Sequence, residues 1–227
     1  MNPPPNFNRL ARLYRWMEFA TFGPFLVQTR NTFLPETATA ANALILGDGD
    51  GRFTARLLRA NPKIQIDAVD SSSAMLQSLL RRAGPHAHRV RTHLTDARDF
   101  QPPNPPPEAS YDLIVTHFFL DCLTTAEIQS LATALRAAAS PNAQWLVSEF
   151  AIPHTHFGRL IAAPIVYTLY QAFGFLTGLA VRTLPDHRAA LRQSGFVLLA
   201  HRTHLAGLLV SELWSANPSP TRRVLPK

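Results

Sequence analysis

The sequence predicts an α/β fold built on an open, doubly wound, mostly parallel sheet. Three observations predict it. Apolar runs of strand length alternate with helical patterns between residues 43 and 150. The first run, Ala43 to Leu46, ends in Gly47-Asp48-Gly49-Asp50-Gly51 and opens a helical stretch from Arg52 to Leu58. The second run, Ile64 to Val69, ends at an acid, Asp70. Strand, glycine turn, helix, strand and acid in that order form one parallel unit of such a sheet.

The remaining elements follow in order. Asp70-Ser71-Ser72-Ser73-Ala74-Met75-Leu76 leads away from strand two. Arg89 to Leu94 reads as strand three, followed by the turn Thr95 to Phe100. The prolines from Pro102 to Pro107 then force a loop. Tyr111 to Asp121 carries strand four and Trp145 to Phe150 strand five. A helix from Asp186 to Ser194, a strand from Gly195 to His201 and a strand from Leu208 to Trp214 close the chain. Ahead of the sheet, Leu10, Leu13, Tyr14, Met17 and Phe25 recur at helical spacing with arginines between them. This predicts an amphipathic helix broken near Gly23-Pro24 and a second helix from Phe25 to Phe33. The organisation is thus a helical cap over residues 1–34, one domain over 35–216 with a helical insertion near 155–185, and a flexible tail over 217–227.

Glycines at the end of strand one let backbone approach a ligand with no Cβ in the way. Their spacing is G-x-G-x-G. A dinucleotide fingerprint needs a third glycine three residues after the second. Counted from Gly47 that position is Arg52, and counted from Gly49 the pattern fails again, which speaks against a nicotinamide oxidoreductase. The spacing, with Asp70 closing strand two, resembles the class I S-adenosylmethionine-dependent methyltransferases. The stretch from Asp70 to Leu76, the Asp96-Ala97 turn and the Tyr111-Asp112 start of strand four are similar to that family's patterns. The resemblance covers residues 40–150 well and the rest loosely. It implies a Rossmann-like sheet of seven strands, with strand seven antiparallel and inserted beside strand five, and S-adenosyl-L-methionine bound by Gly47, Asp48, Gly49, Gly51, Asp70, Ser71, Met75, Asp96, Ala97 and His117. Asp70 would accept from the ribose hydroxyls and Asp96 from the adenine amino group. One departure stands out. The family's strand one usually carries an acid two residues before the first glycine, and here that residue is Ile45. Either Asp48 or Asp50 takes that acid's place, or both only stabilise the turn.

The N-terminal segment resembles the cap of ubiquinone and menaquinone C-methyltransferases and related lipid methyltransferases, with Phe7, Ala11, Tyr14, Phe22 and Gly23 in matching order. By that resemblance Tyr14 faces cofactor or substrate; the alternative is that it packs the helix on the sheet. A sulfonium methyl is already electrophilic, so such an enzyme mainly positions the acceptor, removing a proton where the acceptor needs it. His117 at the end of strand four, Asp121 four residues on and Tyr14 are the catalytic candidates, with Glu149 nearby on strand five. His117 serves as base, or binds cofactor, or caps the next helix. Thr116-His117-Phe118-Phe119 is not the Asn-Pro-Pro-aromatic motif of amino-group DNA methylases. No metal is expected: His154 and His156 have no third ligand implied, and the single cysteine, Cys122, reads as a small apolar filler.

The 227 residues carry 22 Lys and Arg against 15 Asp and Glu, a formal net charge of +7. Such a balance favours anionic partners. The densest basic runs are Arg81-Arg82, Arg89 with Arg91, and Arg222-Arg223, with no stripe interleaved with aromatics, so nucleic acid is an unlikely partner. Leu160 to Val181 holds no charge and is long enough to span a bilayer, but Pro164, Gly174 and Gly178 interrupt it. It reads as a lid over an apolar substrate, a peripheral membrane contact, a homodimer face or plain core. Met1 to Pro5 lacks the pattern of a signal peptide, which predicts a cytoplasmic protein, membrane-associated if that segment meets lipid. The expected function is methyl transfer to a small, hydrophobic acceptor such as a quinone, lipid or aromatic metabolite. The alternatives are a non-catalytic cofactor-binding protein and an RNA methyltransferase.

Overall fold

Strand β1 (Asn42–Leu46) is apolar on both sides because helices cover both of its faces. The structure is a computed structural model and describes residues 23–102, 110–153 and 184–216. Tyr14, His154, His156 and the Leu160–Val181 segment therefore lie outside the described residues.

After β1 come α2 (Arg52–Ala60), β2 (Gln65–Asp70), α3 (Ser73–Ala83), β3 (Val90–Leu94), β4 (Tyr111–His117), α4 (Thr125–Ala138) and β5 (Ala139–Phe150). Then α5 (His187–Gln193), β6 (Val197–His204) and β7 (Leu209–Ser215) close the sheet, while α1 (Gly23–Asn31) precedes it. The seven strands lie in the order β3-β2-β1-β4-β5-β7-β6. All neighbours from β3 to β5 are parallel, and β7 pairs antiparallel with both β5 and β6. The seven-stranded, doubly wound prediction is met, including the antiparallel insertion beside β5. That strand starts at Ala139 rather than Trp145, its early residues joining β4 across a register shift.

Two apolar layers flank the sheet because side chains alternate along each strand. Ile45, Val115, Leu146 and Leu213 face Phe53 and Leu57 of α2 and Leu79 of α3. Leu44, Leu46, Ile114, Trp145 and Trp214 face Ile128 and Leu135 of α4 and Leu191 of α5. Each such fully buried side chain contributes about 1.5–3 kcal/mol. The two tryptophans find partners: Trp145 Nε1 donates to Thr116 Oγ1 at 2.9 Å and Trp214 Nε1 to Glu212 Oε2 at 2.8 Å.

Polar side chains pin the ends of elements. Both oxygens of Asp112 accept the amides that start β1, from Ala41 at 2.8 Å and Asn42 at 2.9 Å. Thr124 and Glu127 form a reciprocal capping box on α4. Arg89, a member of one basic run, is buried and donates to the carbonyls of Leu58, Asn61 and Ile64. Asp67, inside β2, gathers Arg91, His93 and Tyr111. α1 lies on the sheet through Leu26, which packs on Phe118, Leu208 and Leu209, and through its Thr29 carbonyl, which accepts from Ser148 and Ser211.

Glu212 is fully buried on β7 and is met by His187 Nε2 at 3.1 Å and by the Arg188 guanidinium. Burial pushes its carboxyl up, but the His187 bond and charge and the Arg188 charge outweigh burial and bring it down to about 2. A depressed carboxyl contributes stability above its ordinary value of 4.5, and that stability is lost as pH falls from 4.5 toward 2. Glu212→Gln is expected to cost about 2 kcal/mol at pH 7, below the ~3–5 of a fully buried pair because Arg188 is partly exposed. Urea unfolding at pH 7 and pH 3 checks this: the cost should shrink at pH 3.

Candidate active site

The strand order reverses between β1 and β4, so a crevice opens at their carboxyl ends, where ligands bind in open α/β sheets. The glycine turn stands on one side of it. Gly47, Gly49 and Gly51 all have left-handed φ, at +67°, +60° and +79°. The Gly47 amide donates to the Val69 carbonyl at 3.0 Å, tying the turn to β2. A side chain on Gly51 would run into the backbone of Leu79, whereas nothing lies within 4 Å of the space beside Gly49. Gly51 therefore serves packing, and Gly49 keeps backbone exposed toward the crevice.

Asp70 ends β2 beside this turn. Its Oδ1 accepts the Ser72 amide at 2.8 Å. Burial, and then the neighbouring Asp48 charge, raise its carboxyl to about 6 against that bond. Ser71 is exposed, Ser72 caps α3 by accepting from the Met75 amide at 3.3 Å, and Met75 is buried beneath. Asp48 Oδ2 accepts from the Thr54 amide at 2.9 Å and the Thr54 hydroxyl at 2.7 Å. Burial raises the Asp48 carboxyl, opposed by Thr54 and the Arg30 charge. Asp50 turns the other way, to Arg52 and Arg82. Ile45 is buried in the core. Asp96 accepts from the Arg98 amide and guanidinium, both at 2.9 Å, and Ala97 is buried next to it. Arg98 in turn reaches Glu127 at 2.9 Å.

Across the crevice stands the end of β4. His117 is 4% exposed, and among the described residues neither ring nitrogen has a hydrogen-bond partner. Its ring meets Phe53 edge to face, centroids 4.5 Å apart. Burial, and then the Arg30 charge, hold His117 well below its ordinary value, so the ring is neutral at physiological pH. Phe118, next in the chain, has a left-handed φ of +54°, unusual for a bulky residue. Its amide donates to the Ser148 carbonyl at 2.7 Å, its ring tilts against Phe150, and Arg30 lies 5.2 Å over it. This sharp turn aims the amides of Phe119, at 3.2 Å, and Leu120, at 2.8 Å, at Glu149 Oε1. The other oxygen, Oε2, is buried without a hydrogen-bond partner among the described residues. Burial, and then the Asp121 charge, push Glu149 well above the usual carboxylate range. Asp121 sits beside Cys122, whose thiol is 3.6 Å from Asp121 Oδ1 and pushed up by burial and that charge.

The crevice thus gathers Asp48, Gly49 and Asp70 on one rim and His117 and Glu149 on the other. Arg30 and Phe118 enter as site residues that the motifs did not reveal. Arg30 comes from α1 and is brought in only by tertiary packing. Phe118 is marked by its backbone angle, which no sequence pattern encodes.

The sheet order, with its antiparallel β7, is the Rossmann-like fold of its methyltransferase neighbours. Residues 44–144 match the family model described as a methyltransferase domain. No curated protein matches the chain. Among solved structures it is similar to an O-methyltransferase family protein from Burkholderia thailandensis, with TM-score 0.68 and 13% identity, covering 92% of this chain and 60% of that one. It is similar to mitomycin 7-O-methyltransferase MmcR, with TM-score 0.68 and 16% identity, covering 92% and 60%. A third is N,N-8-amino-8-demethyl-D-riboflavin dimethyltransferase from Streptomyces davawensis, with TM-score 0.62 and 20% identity, covering 94% and 62%. At such identities the likeness is one of fold, and the chain spans about 60% of the length of the first two. None of the three is named as a quinone C-methyltransferase. No helix among the described residues is long and apolar enough to cross a membrane.

Proposed function

We propose that the protein is an S-adenosylmethionine-dependent methyltransferase acting on a small, apolar acceptor. The observation that carries the reading is Asp70 at the end of β2, facing a glycine turn that is open at Gly49. A carboxylate there accepts from a ribose diol, and the bare backbone at Gly49 leaves room for the rest of the cofactor. The Gly47–Gly51 turn, Ser71, Met75, Asp96 and Ala97 would complete its pocket. Bound S-adenosylmethionine supplies an electrophilic methyl group. His117, neutral and without a partner among the described residues, would accept the acceptor's proton. Glu149 and Asp121 would shape the field around it, and Tyr14, outside the described residues, is a candidate by the resemblance of the N-terminal segment alone. The names of two similar structures, mitomycin 7-O-methyltransferase and a riboflavin-type dimethyltransferase, favour a flat, aromatic acceptor. The uncharged Leu160–Val181 segment favours an apolar one, as a lid, a membrane contact or a homodimer face.

Calorimetric titration with S-adenosylhomocysteine tests the reading. The wild type is expected to bind in the micromolar range, and Asp70→Ala to bind at least tenfold more weakly, about 1.4 kcal/mol. Affinity should also fall as pH drops through about 6, where Asp70 takes up its proton and loses acceptor capacity. The folded value lies above the ordinary 3.8, so ionised Asp70 costs stability that grows as pH rises from 3.8 toward 6. Asp70→Ala should therefore unfold at equal or higher urea at pH 7. A folded wild type that binds neither S-adenosylmethionine nor S-adenosylhomocysteine would refute the proposal.

A further inference from the structure

Between α1, α2 and α3 lies a cavity of about 260 Å3. Five guanidinium groups line it, those of Arg30, Arg52, Arg56, Arg59 and Arg82, together with Asn31. They come from α1, α2 and α3, so the cluster is a product of folding.

The sequence of α2 breaks two local rules to build this face. Arg52 stands in the first turn, where the helix dipole favours anions, and that turn holds no acid. Arg52, Arg56 and Arg59 follow at i, i+4 and i+7, and like charges at that spacing destabilise a helix. The helix has no acid to offset them. Asp50, buried at the end of the glycine turn, offsets one charge. Its Oδ2 accepts from Arg82 at 2.7 Å and Arg52 at 3.2 Å, and its carbonyl accepts from Arg82 at 3.0 Å. These bonds fix two guanidinium forks in place before any ligand arrives. Arg59 Nε is anchored to the Ala55 carbonyl at 2.9 Å. Arg56 is exposed and makes no hydrogen bond or ion pair among the described residues. Local rules broken together at one cleft mark a functional site more than a fold requirement.

We propose that this cleft binds the phosphate group of a small phosphorylated ligand, with a diphosphate the best match. Guanidinium forks hold phosphate oxygens two at a time, which is what a cluster of arginines offers over lysines. The volume lies just below the roughly 300–1,000 Å3 of pockets that enclose a drug-sized ligand. It therefore seats a head group. The rest of the ligand has room in an adjoining groove of about 670 Å3 that shares Arg56 and Asn31 and runs to Arg202 and His204 on β6. A single-stranded nucleic acid is a poorer match, because base stacking needs exposed rings and, among the described residues, the rings bordering the two spaces are the buried Phe53 and the half-buried His204, which is bonded to Thr32 at 2.9 Å.

The inference rests on the cleft and is independent of the methyltransferase reading. Its test is calorimetric titration of the full chain with pyrophosphate at fixed ionic strength, against matched sulfate and chloride. Saturable pyrophosphate binding is expected, at least tenfold weaker in Arg56→Gln/Arg59→Gln, with S-adenosylhomocysteine affinity unchanged. Arg56→Gln alone, at an exposed helix position, serves if the double variant misfolds, and should weaken binding about threefold. Vesicles carrying phosphatidic acid distinguish a lipid headgroup from a free phosphate compound: competition by such vesicles assigns the phosphate to lipid. No saturable binding, an equal response to sulfate and chloride, or equal binding by the variants overturns the proposal. So does tight binding of a short RNA that pyrophosphate fails to displace.

Discussion

His117→Gln is expected to lower kcat by about 10²-fold or more, in line with the loss of a positioned proton acceptor, while S-adenosylhomocysteine affinity changes less than threefold. The release of S-adenosylhomocysteine, followed with an aromatic hydroxyl acceptor, reads the first quantity and calorimetry the second. An unchanged kcat would remove His117 from the chemistry. The physical case rests on what the side chain costs. A buried imidazole whose two nitrogens have no partner among the described residues forfeits roughly 1–3 kcal/mol for each group left unbonded. Nothing in the packing asks for that: the ring sits edge-on to Phe53, a contact that an apolar side chain would also make. His117→Leu is therefore expected to unfold at higher denaturant than the wild type while being inactive. Stability gained where activity is lost is the behaviour of a residue kept for chemistry.

The same residue carries a pH signature. In the folded protein His117 is held below its ordinary value of 6.5, first by burial and then by Arg30. The unfolded chain takes up this proton first, so stability is full above pH 6.5 and is lost as pH falls below it. His117→Leu should flatten that loss. Between pH 7 and 8 the wild-type ring stays neutral, so kcat should show no His117 ionisation there.

The core of the fold was legible in short segments. Ala43 to Leu46 and Ile64 to Val69 are unbroken apolar runs, and a parallel sheet covered on both faces demands such runs. The glycine turn and Asp70 were legible because backbone close approach leaves few residue choices. The helix from Thr125 to Ala138 carried an unread signal, since Thr124-x-x-Glu127 ahead of Ile128 is a capping box. The roles of the arginines were not legible. Arg89 and Arg91 look like one basic run, yet Arg89 is buried on three carbonyls and Arg91 is paired with Asp67. The charge that gathers comes instead from Arg30, Arg52, Arg56, Arg59 and Arg82, spread over three helices. Long-range packing assembles that cluster, and no local spacing encodes it. Asp48 shows a third case: one residue type in a turn serves ligand or backbone equally well, and here it accepts the amide and hydroxyl of Thr54.

Gly51→Ala and Gly49→Ala separate the two uses of glycine in the turn. Both residues have left-handed φ, which costs an alanine ~1–2 kcal/mol. At Gly51 the added methyl would lie 2.6 Å from the Leu79 Cα, with the Leu79 side chain at 2.7 and 2.8 Å. Backbone cannot rotate away as a side chain can, so α2 and α3 must move apart. Overpacking of that kind adds ~1–3 kcal/mol, for a total of about 2–5 kcal/mol, large beside the ~5–15 kcal/mol that holds a domain folded. At Gly49 the methyl meets nothing within 4 Å, so only the backbone strain remains. If the turn cradles S-adenosylmethionine, that methyl occupies the ligand's space and S-adenosylhomocysteine binding falls at least tenfold. Urea midpoints and calorimetry on the two variants give opposite rankings under this reading: Gly51→Ala loses the fold first, Gly49→Ala the ligand. Equal stability losses with intact binding at Gly49 would mean that the turn is structural throughout and that the cofactor path lies elsewhere along the crevice.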